Sequence, residues 1–320
     1  MTRLIVILVA LLLLAFVLSL LAGQVWLSPG DILSGNSLAV LIVRDIRLPR
    51  TLLALLIGGT LGLAGGVLQG LTRNPLADPG LLGVSPGAAL GAILAIYFGI
   101  ASISAVAAPL LGLAGALGAC TLTFALGRGS NVALILAGAA VSSLTAAGIA
   151  LALNFAPNPY AAYEIMSWLL GSLADKSWAQ IGLVVPFVVI GCAALATTGR
   201  ALDALSLGEA QAQSLGVDLH RLRLTVIFGT ALAVGAVTSV AGAIGFIGLV
   251  APHLARPFVG HQPSRLLLPS ALGGALLLTS ADIAARLIHL GPELKLGVFT
   301  SLIGTPFFFW LVVRLRKTAP

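Results

Sequence analysis

Residues 47–87 read RLPRTLLALLIGGTLGLAGGVLQGLTRNPLADPGLLGVSPG, and the organisation of the chain follows from this stretch. Two arginines three residues apart, Arg47 and Arg50, open it. About twenty uncharged residues follow, enough to cross a bilayer as a helix rising 1.5 Å per residue. Gly58, Gly59, Gly62, Gly65, Gly66 and Gly70 recur at spacings of three and four, so one face of that helix is nearly bare backbone and neighbouring helices can approach it closely. The proline-rich loop that follows, with Arg73 and Asp78, ends the helix and leads into the next apolar run.

Composition extends this reading to the whole chain. Of 320 residues, 59% are hydrophobic and 8% charged, with a mean hydropathy of +1.10. Such a sequence cannot cover a water-facing surface with polar groups, and it reads as one integral membrane domain over residues 1–320. Its apolar runs are continuous, without the ten-residue alternation of a β-barrel, so the fold class is all-α, with about ten transmembrane helices. The net charge of +7 is spread singly over segment ends. That pattern orients helices in a membrane and gives no basic patch for nucleic acid. Cys120 and Cys192 lie inside apolar runs and read as small buried hydrophobes.

The spans are expected at about residues 4–22, in the apolar run between Arg50 and Thr72, and at about 82–100, 103–126, 132–155, 178–196, 224–240, 252–259, 266–290 and 296–313. Both termini are then cytoplasmic, with Arg3, Arg128 and the closing RLRK as inside signals. Arg44, Arg47 and Arg50 fall on the outer side, against that charge bias. Residues 156–177 hold an apolar stretch too short to span, which suggests a half-buried helix lying at the outer surface. The longest polar connection, 197–223, reads as two short cytoplasmic helices separated by a glycine turn, because good helix formers there are interrupted by Gly208 and Gly216.

Signatures of chemistry are missing. The sequence has no G-x-x-x-x-G-K-[ST] loop to cradle a nucleotide, no H-E-x-x-H and no G-x-S-x-G. His220, His253, His261 and His289 are dispersed, so no catalytic residue, metal ligand or cofactor site is assigned. Within the spans the ionisable residues that stand out are Asp282 and Arg286, one turn apart and able to pair. A proton-coupled secondary transporter is the alternative of a different energy class, but a proton relay needs a second intramembrane acid that the sequence does not offer.

The stretch 47–87 also resembles the permease subunits of ATP-driven importers for vitamin B12, ferric siderophores and haem. So do GEAQAQSLGV, VAGAIGFIGLVAPHLAR, LLLPSALGGALLLTSADIAAR and ELKLGVFTSLIGTPFFFWL, in that order. The resemblance implies a type II importer permease in the inner membrane, with helices 2–5 and 7–10 forming an inverted repeat. It implies a homodimer with the pathway at its interface, two cytoplasmic ATPase subunits that hydrolyse the ATP, and a soluble substrate-binding protein on the outer side. Residue by residue it gives Glu209, Ala210, Leu215 and Gly216 as ATPase-coupling residues. Asn74 and Leu76, with Ser130 and Asn131, become a cytoplasmic gate. Ser142, Ser143 and Thr145 line the pathway, and Arg47, Arg50 and Arg286 dock the binding protein. The expected cargo is a bulky metal chelate, a ferric siderophore or haem ahead of cobalamin, moved by alternating access.

Overall fold

The structure is a computed structural model that describes residues 1–23, 25–33, 37–127, 130–288 and 293–318. Arg128 and His289, named above, lie outside the described residues, as do the side chains of the closing RLRK. The described residues are helical, with no strand. In chain order the principal helices are α1 (Thr2–Leu21), α2 (Leu48–Thr72), α3 (Val84–Tyr97), α4 (Ala107–Leu126), α5 (Asn131–Asn154), α6 (Pro159–Leu169) and α7 (Trp178–Thr197). Then come the short α8 (Gly199–Leu205) and α9 (Glu209–Ser214), followed by α10 (Leu219–Ala241), α11 (Ile247–Ala255), α12 (Pro263–Leu287) and α13 (Leu296–Thr318). Seven described helices are long and apolar enough to cross a membrane. Three shorter apolar helices, in α3, α11 and α13, complete the ten expected segments.

Local chemistry sets the helix starts. The Ser130 hydroxyl caps α5 by accepting from the Ala133 amide, and Asn158 caps α6 ahead of Pro159. Ser177 and Gln180 form a reciprocal capping box at the head of α7. Asp218 accepts from the amides of His220 and Arg221, so α10 begins five residues before the position its apolar run alone suggests. The expected eighth span also starts early, at Ile247: Pro252 lies inside α11, and the break falls instead at Phe246, whose φ is +68°.

The two halves repeat with direction reversed. α2 packs on α12 and α11, just as α10 packs on α4 and α3. α3 touches α4 and α5, as α11 touches α12 and α13, and the pairs α4–α5 and α12–α13 also correspond. Exchanging α2–α5 with α10–α13 therefore preserves the packing of the core, the arrangement of an inverted-topology repeat. Glycine makes this packing possible. A Cβ on Gly65 would lie 1.8 Å from the Gly248 carbonyl oxygen, so α2 and α11 meet backbone to backbone.

One face of the bundle, here called the coupling face after the expectation for residues 197–223, carries α8, α9 and the start of α12. Leu4 at the start of α1 packs there against Ala255, Val259 and Leu266. α13 starts at the opposite face, where the Gly297 amide donates to the Gly171 carbonyl, and runs back towards the coupling face. α6 lies on that opposite face with Ile165 buried against Ala89, Ile93 and Ala152, while Tyr160 and Tyr163 stay exposed.

Candidate functional site

The polar segment after α7 folds as the two expected short helices. Gly208, at φ +119°, separates them, and Gly216, at φ +84° with open space around it, closes the second. Leu202, Leu205 and Ala212 anchor the pair in the core, and Leu202 fills the space above Gly70 at the end of α2. The Asp203 carboxylate accepts from the Gln262 side chain and from both the amide and hydroxyl of Ser264, joining α8 to the head of α12. Burial would push the Asp203 pKa up, but the bonds from Ser264 and Gln262 and the charge of Arg265 outweigh it and hold the group below the usual carboxylate range. Arg223 pairs with Glu209 at 3.1 Å, joining α9 to α10. What remains outward is a shallow surface of Ala210, Gln211 and Ser214 between the exposed Leu207 and Leu215. Of the expected coupling residues, Ala210, Leu215 and Gly216 face out and Glu209 is half-turned inward.

The loop between α2 and α3 is re-entrant. Arg73 ends α2 in the left-handed region, Asn74 Oδ1 accepts from the Leu76 amide, and Asp78 caps a tight turn over Pro79–Leu82. This turn is buried: Thr123 donates to the Leu82 carbonyl, and Gly138 of α5 touches the carbonyl of Leu81. Irregular backbone inside the bundle is tolerated because protein surrounds it and satisfies its carbonyls. Asn131 donates from the head of α5 to the Leu71 carbonyl, so the four gate candidates Asn74, Leu76, Ser130 and Asn131 gather where α2 ends and α5 begins. Gln69 and Arg256 belong to the same cluster and were not legible as a pair. The Gln69 amide nitrogen donates to Ala77 and Leu249 carbonyls, and its oxygen accepts from Arg256.

Along α13 runs an open groove of about 700 Å³ whose lining includes Leu170, Ala243, Gly245, Ser301 and Thr305. A separate apolar cavity of about 240 Å³ lies between α11, α12 and α13, with Phe246 and Phe299 in its wall. On α5, Ser143 is exposed and bonds back to the Ala139 carbonyl. Ser142 is half-buried. Thr145 is buried and donates to the carbonyls of Val141 and Ser142, so its hydroxyl is spent within its own helix and it does not line an open surface here.

At the face opposite α8 and α9, the three arginines expected to dock a binding protein are turned inward. Arg47, Arg50 and Arg286 are 6%, 9% and 8% exposed. Arg50 grips Asp282 through Nε and Nη2, at 2.9 and 2.7 Å, and also pairs with Glu293. Arg286 shares Asp282 at 3.1 Å and donates to the Ser19 and Ala22 carbonyls at the end of α1. Arg47 donates to the Leu20 and Leu21 carbonyls. Desolvation in the span region makes unpaired guanidiniums costly, so each is held by a carboxylate or by the unsatisfied carbonyls of a helix end. The charges do come together, at a cavity of about 340 Å³ that Arg47, Arg50, Arg286 and Glu293 help to line.

Ten apolar segments, eight of them in an inverted repeat, with two short helices on one face, describe a membrane permease subunit. Residues 11–314 match the FecCD transport family, and the chain belongs to that family, as a permease subunit of an ABC importer. It is 43% identical to the vitamin B12 import system permease protein BtuC of Vibrio cholerae over 93% of this chain and 90% of that one. The protein of the same name from Salmonella paratyphi A is 41% identical over 96% of this chain and 94% of that one. A solved inward-facing conformation of a metal-chelate type ABC transporter superposes with a TM-score of 0.91, at 33% identity, over 98% of this chain and all of that one. PsaBC from Streptococcus pneumoniae shares the fold at a TM-score of 0.53 and 17% identity, over 81% of this chain and 88% of that one.

Proposed function

We propose that this chain, as a homodimer in the inner membrane, carries a cobalamin-type metal chelate into the cytoplasm by alternating access, driven by two separate ATPase subunits. The observation that carries the reading is the α8–α9 pair. Its inner side is fastened to α2, α10 and α12, and its outer side is left as Leu207, Ala210, Leu215 and Gly216. An ATPase that moves this pair moves the end of α2 and the heads of α10 and α12 with it. The coupling face is then cytoplasmic, as are both termini, and the gate cluster of Asn74, Leu76, Ser130 and Asn131 stands directly behind it.

The order of cargo candidates reverses here. The relatives at 41–43% identity are named for vitamin B12, which favours cobalamin over the ferric siderophore or haem suggested by motifs alone. The groove side of α13, with Ser301 and Thr305 beside the exposed Leu302, and the open face of α5 carrying Ser142 and Ser143 form the passage wall when two copies meet. A soluble binding protein docks on the opposite face, over the cavity at Arg47, Arg50 and Arg286. The test is uptake by proteoliposomes carrying the full complex: cobalamin accumulates and is not displaced by excess ferric siderophore or haem. Accumulation of a ferric chelate in its place would return the cargo to the iron class. A cysteine at Leu215 should crosslink to the ATPase subunit. If it does not, while a cysteine elsewhere on the coupling face does, the coupling assignment is wrong.

A further inference from the structure

We propose that Gln69 and Arg256 are the positioning pair that transmits movement of the α8–α9 helices to the re-entrant loop at residues 74–83. The inference rests on the reading of α8–α9 as the ATPase contact and of that loop as the gate. The observations form one continuous path. Asp203 of α8 is bonded to Gln262 and Ser264 at the head of α12. Six residues before Gln262, Arg256 opens the tight turn Arg256–Val259 and donates to the Gln69 side-chain oxygen. Gln69 is 1% exposed, and its amide nitrogen holds the Ala77 carbonyl of the gate loop and the Leu249 carbonyl of α11. One buried amide thus joins three elements: the turn behind the coupling helices, the helix α11, and the loop.

The chemistry of Arg256 makes this joint switchable. A partly buried guanidinium is normally neutralised by a carboxylate, yet Arg256 pairs with none among the described residues, and its buried Nε has no partner there. Its contact with Gln69 is a neutral acceptor bonded to a cation, strong enough to hold a geometry and without the desolvated ion pair that would lock it. A pull on residues 256–262 therefore re-aims Gln69, and with it Ala77, without separating buried opposite charges.

The experiment uses the complete transporter, with Cys120→Ala, Cys192→Ala and Leu76→Cys, and reads thiol labelling at position 76 with and without ATP under hydrolysis-blocked conditions. The unaltered pair should give a nucleotide-dependent change in labelling rate of about fivefold or more. Gln69→Leu should bring that ratio close to one and cut uptake, with ATP hydrolysis by the complex within about twofold of its starting value. Gln69→Glu keeps the acceptor for Arg256 and removes the donor to Ala77, so it should also flatten the ratio while preserving assembly. A nucleotide-dependent ratio retained in both variants would overturn the proposal and leave the coupling and gate readings standing. A flat ratio with the pair intact would overturn the gate reading, and this inference with it.

Discussion

Asp282 shows how far a single side chain determines what its neighbours can do. It is completely buried and carries two guanidiniums, Arg50 and Arg286, while the latter also holds the end of α1 through Ser19 and Ala22. Replacing it with alanine leaves two buried cations with a single partly exposed carboxylate, Glu293, between them. Asp282→Ala should lower stability by about 3–5 kcal/mol, measured by unfolding in detergent; a loss below about 1 kcal/mol would mean that water reaches the cluster. The same geometry changes how docking must be tested. Arg50→Glu would set a third carboxylate against Asp282 and Glu293, so a binding defect in it would report misfolding. Glu293 is the better handle, because its side chain is 31% exposed and it occupies Arg50 at the mouth of the cavity. If an acidic group of the binding protein competes for that guanidinium, Glu293→Gln should tighten association several-fold at low salt and less at high salt. An affinity unchanged at both salt concentrations would remove Arg50 from the docking face.

Among the elements, the helices whose surfaces are glycine behave differently from those with open glycines. A methyl at Gly65 would collide with the Gly248 carbonyl, whereas one at Gly118 on α4 would meet nothing within 4 Å. Gly65→Ala should therefore deplete folded protein, while Gly118→Ala should leave it unchanged or raise stability by about 0.5–1 kcal/mol, as judged by thermal unfolding of the purified variants. Gly216 is a third case. It has space but a left-handed backbone, so Gly216→Val strains only the turn after α9, by about 1–3 kcal/mol locally. Membrane insertion should persist and coupled uptake should fall; full uptake in this variant would show that the turn is not part of the ATPase contact. The Asp203 link adds a pH dependence. Its folded pKa lies below the unfolded value, so the fastening of α8 to α12 is complete above about pH 4 and is lost as pH falls through the folded value. Protease sensitivity of residues 199–216 should rise in that acid window, and Asp203→Ala should show the same sensitivity at neutral pH.

At the scale of the molecule, the spans were legible because continuous apolar runs permit little else, and the short helices α8 and α9 because Gly208 and Gly216 punctuate a polar segment. Two boundaries shifted for identifiable reasons. Asp218, within the polar connection 197–223, caps α10, and Pro252, where the eighth span was expected to start, sits inside α11. Of the charged pairs, Asp282 with Arg286 was legible from its one-turn spacing, and the long-range partners were not. Arg50 finds Asp282 and Glu293 more than two hundred residues away, and Arg286 finds Ser19 equally far off, and no pattern along the chain carries such distances. The reversed repeat is likewise faint in the residues and plain in the packing, because what it conserves is which helices touch.

In the proposed function this chain is a conduit whose energy comes from another subunit. The most direct measurement is uptake of labelled cobalamin, together with ATP hydrolysis, in proteoliposomes containing this chain and its binding protein, with and without the ATPase subunit. The account predicts no hydrolysis and no accumulation without the ATPase, even when a proton gradient is imposed, and ATP-dependent accumulation once it is added. Accumulation driven by the proton gradient in the absence of the ATPase would contradict it and make the chain a secondary transporter.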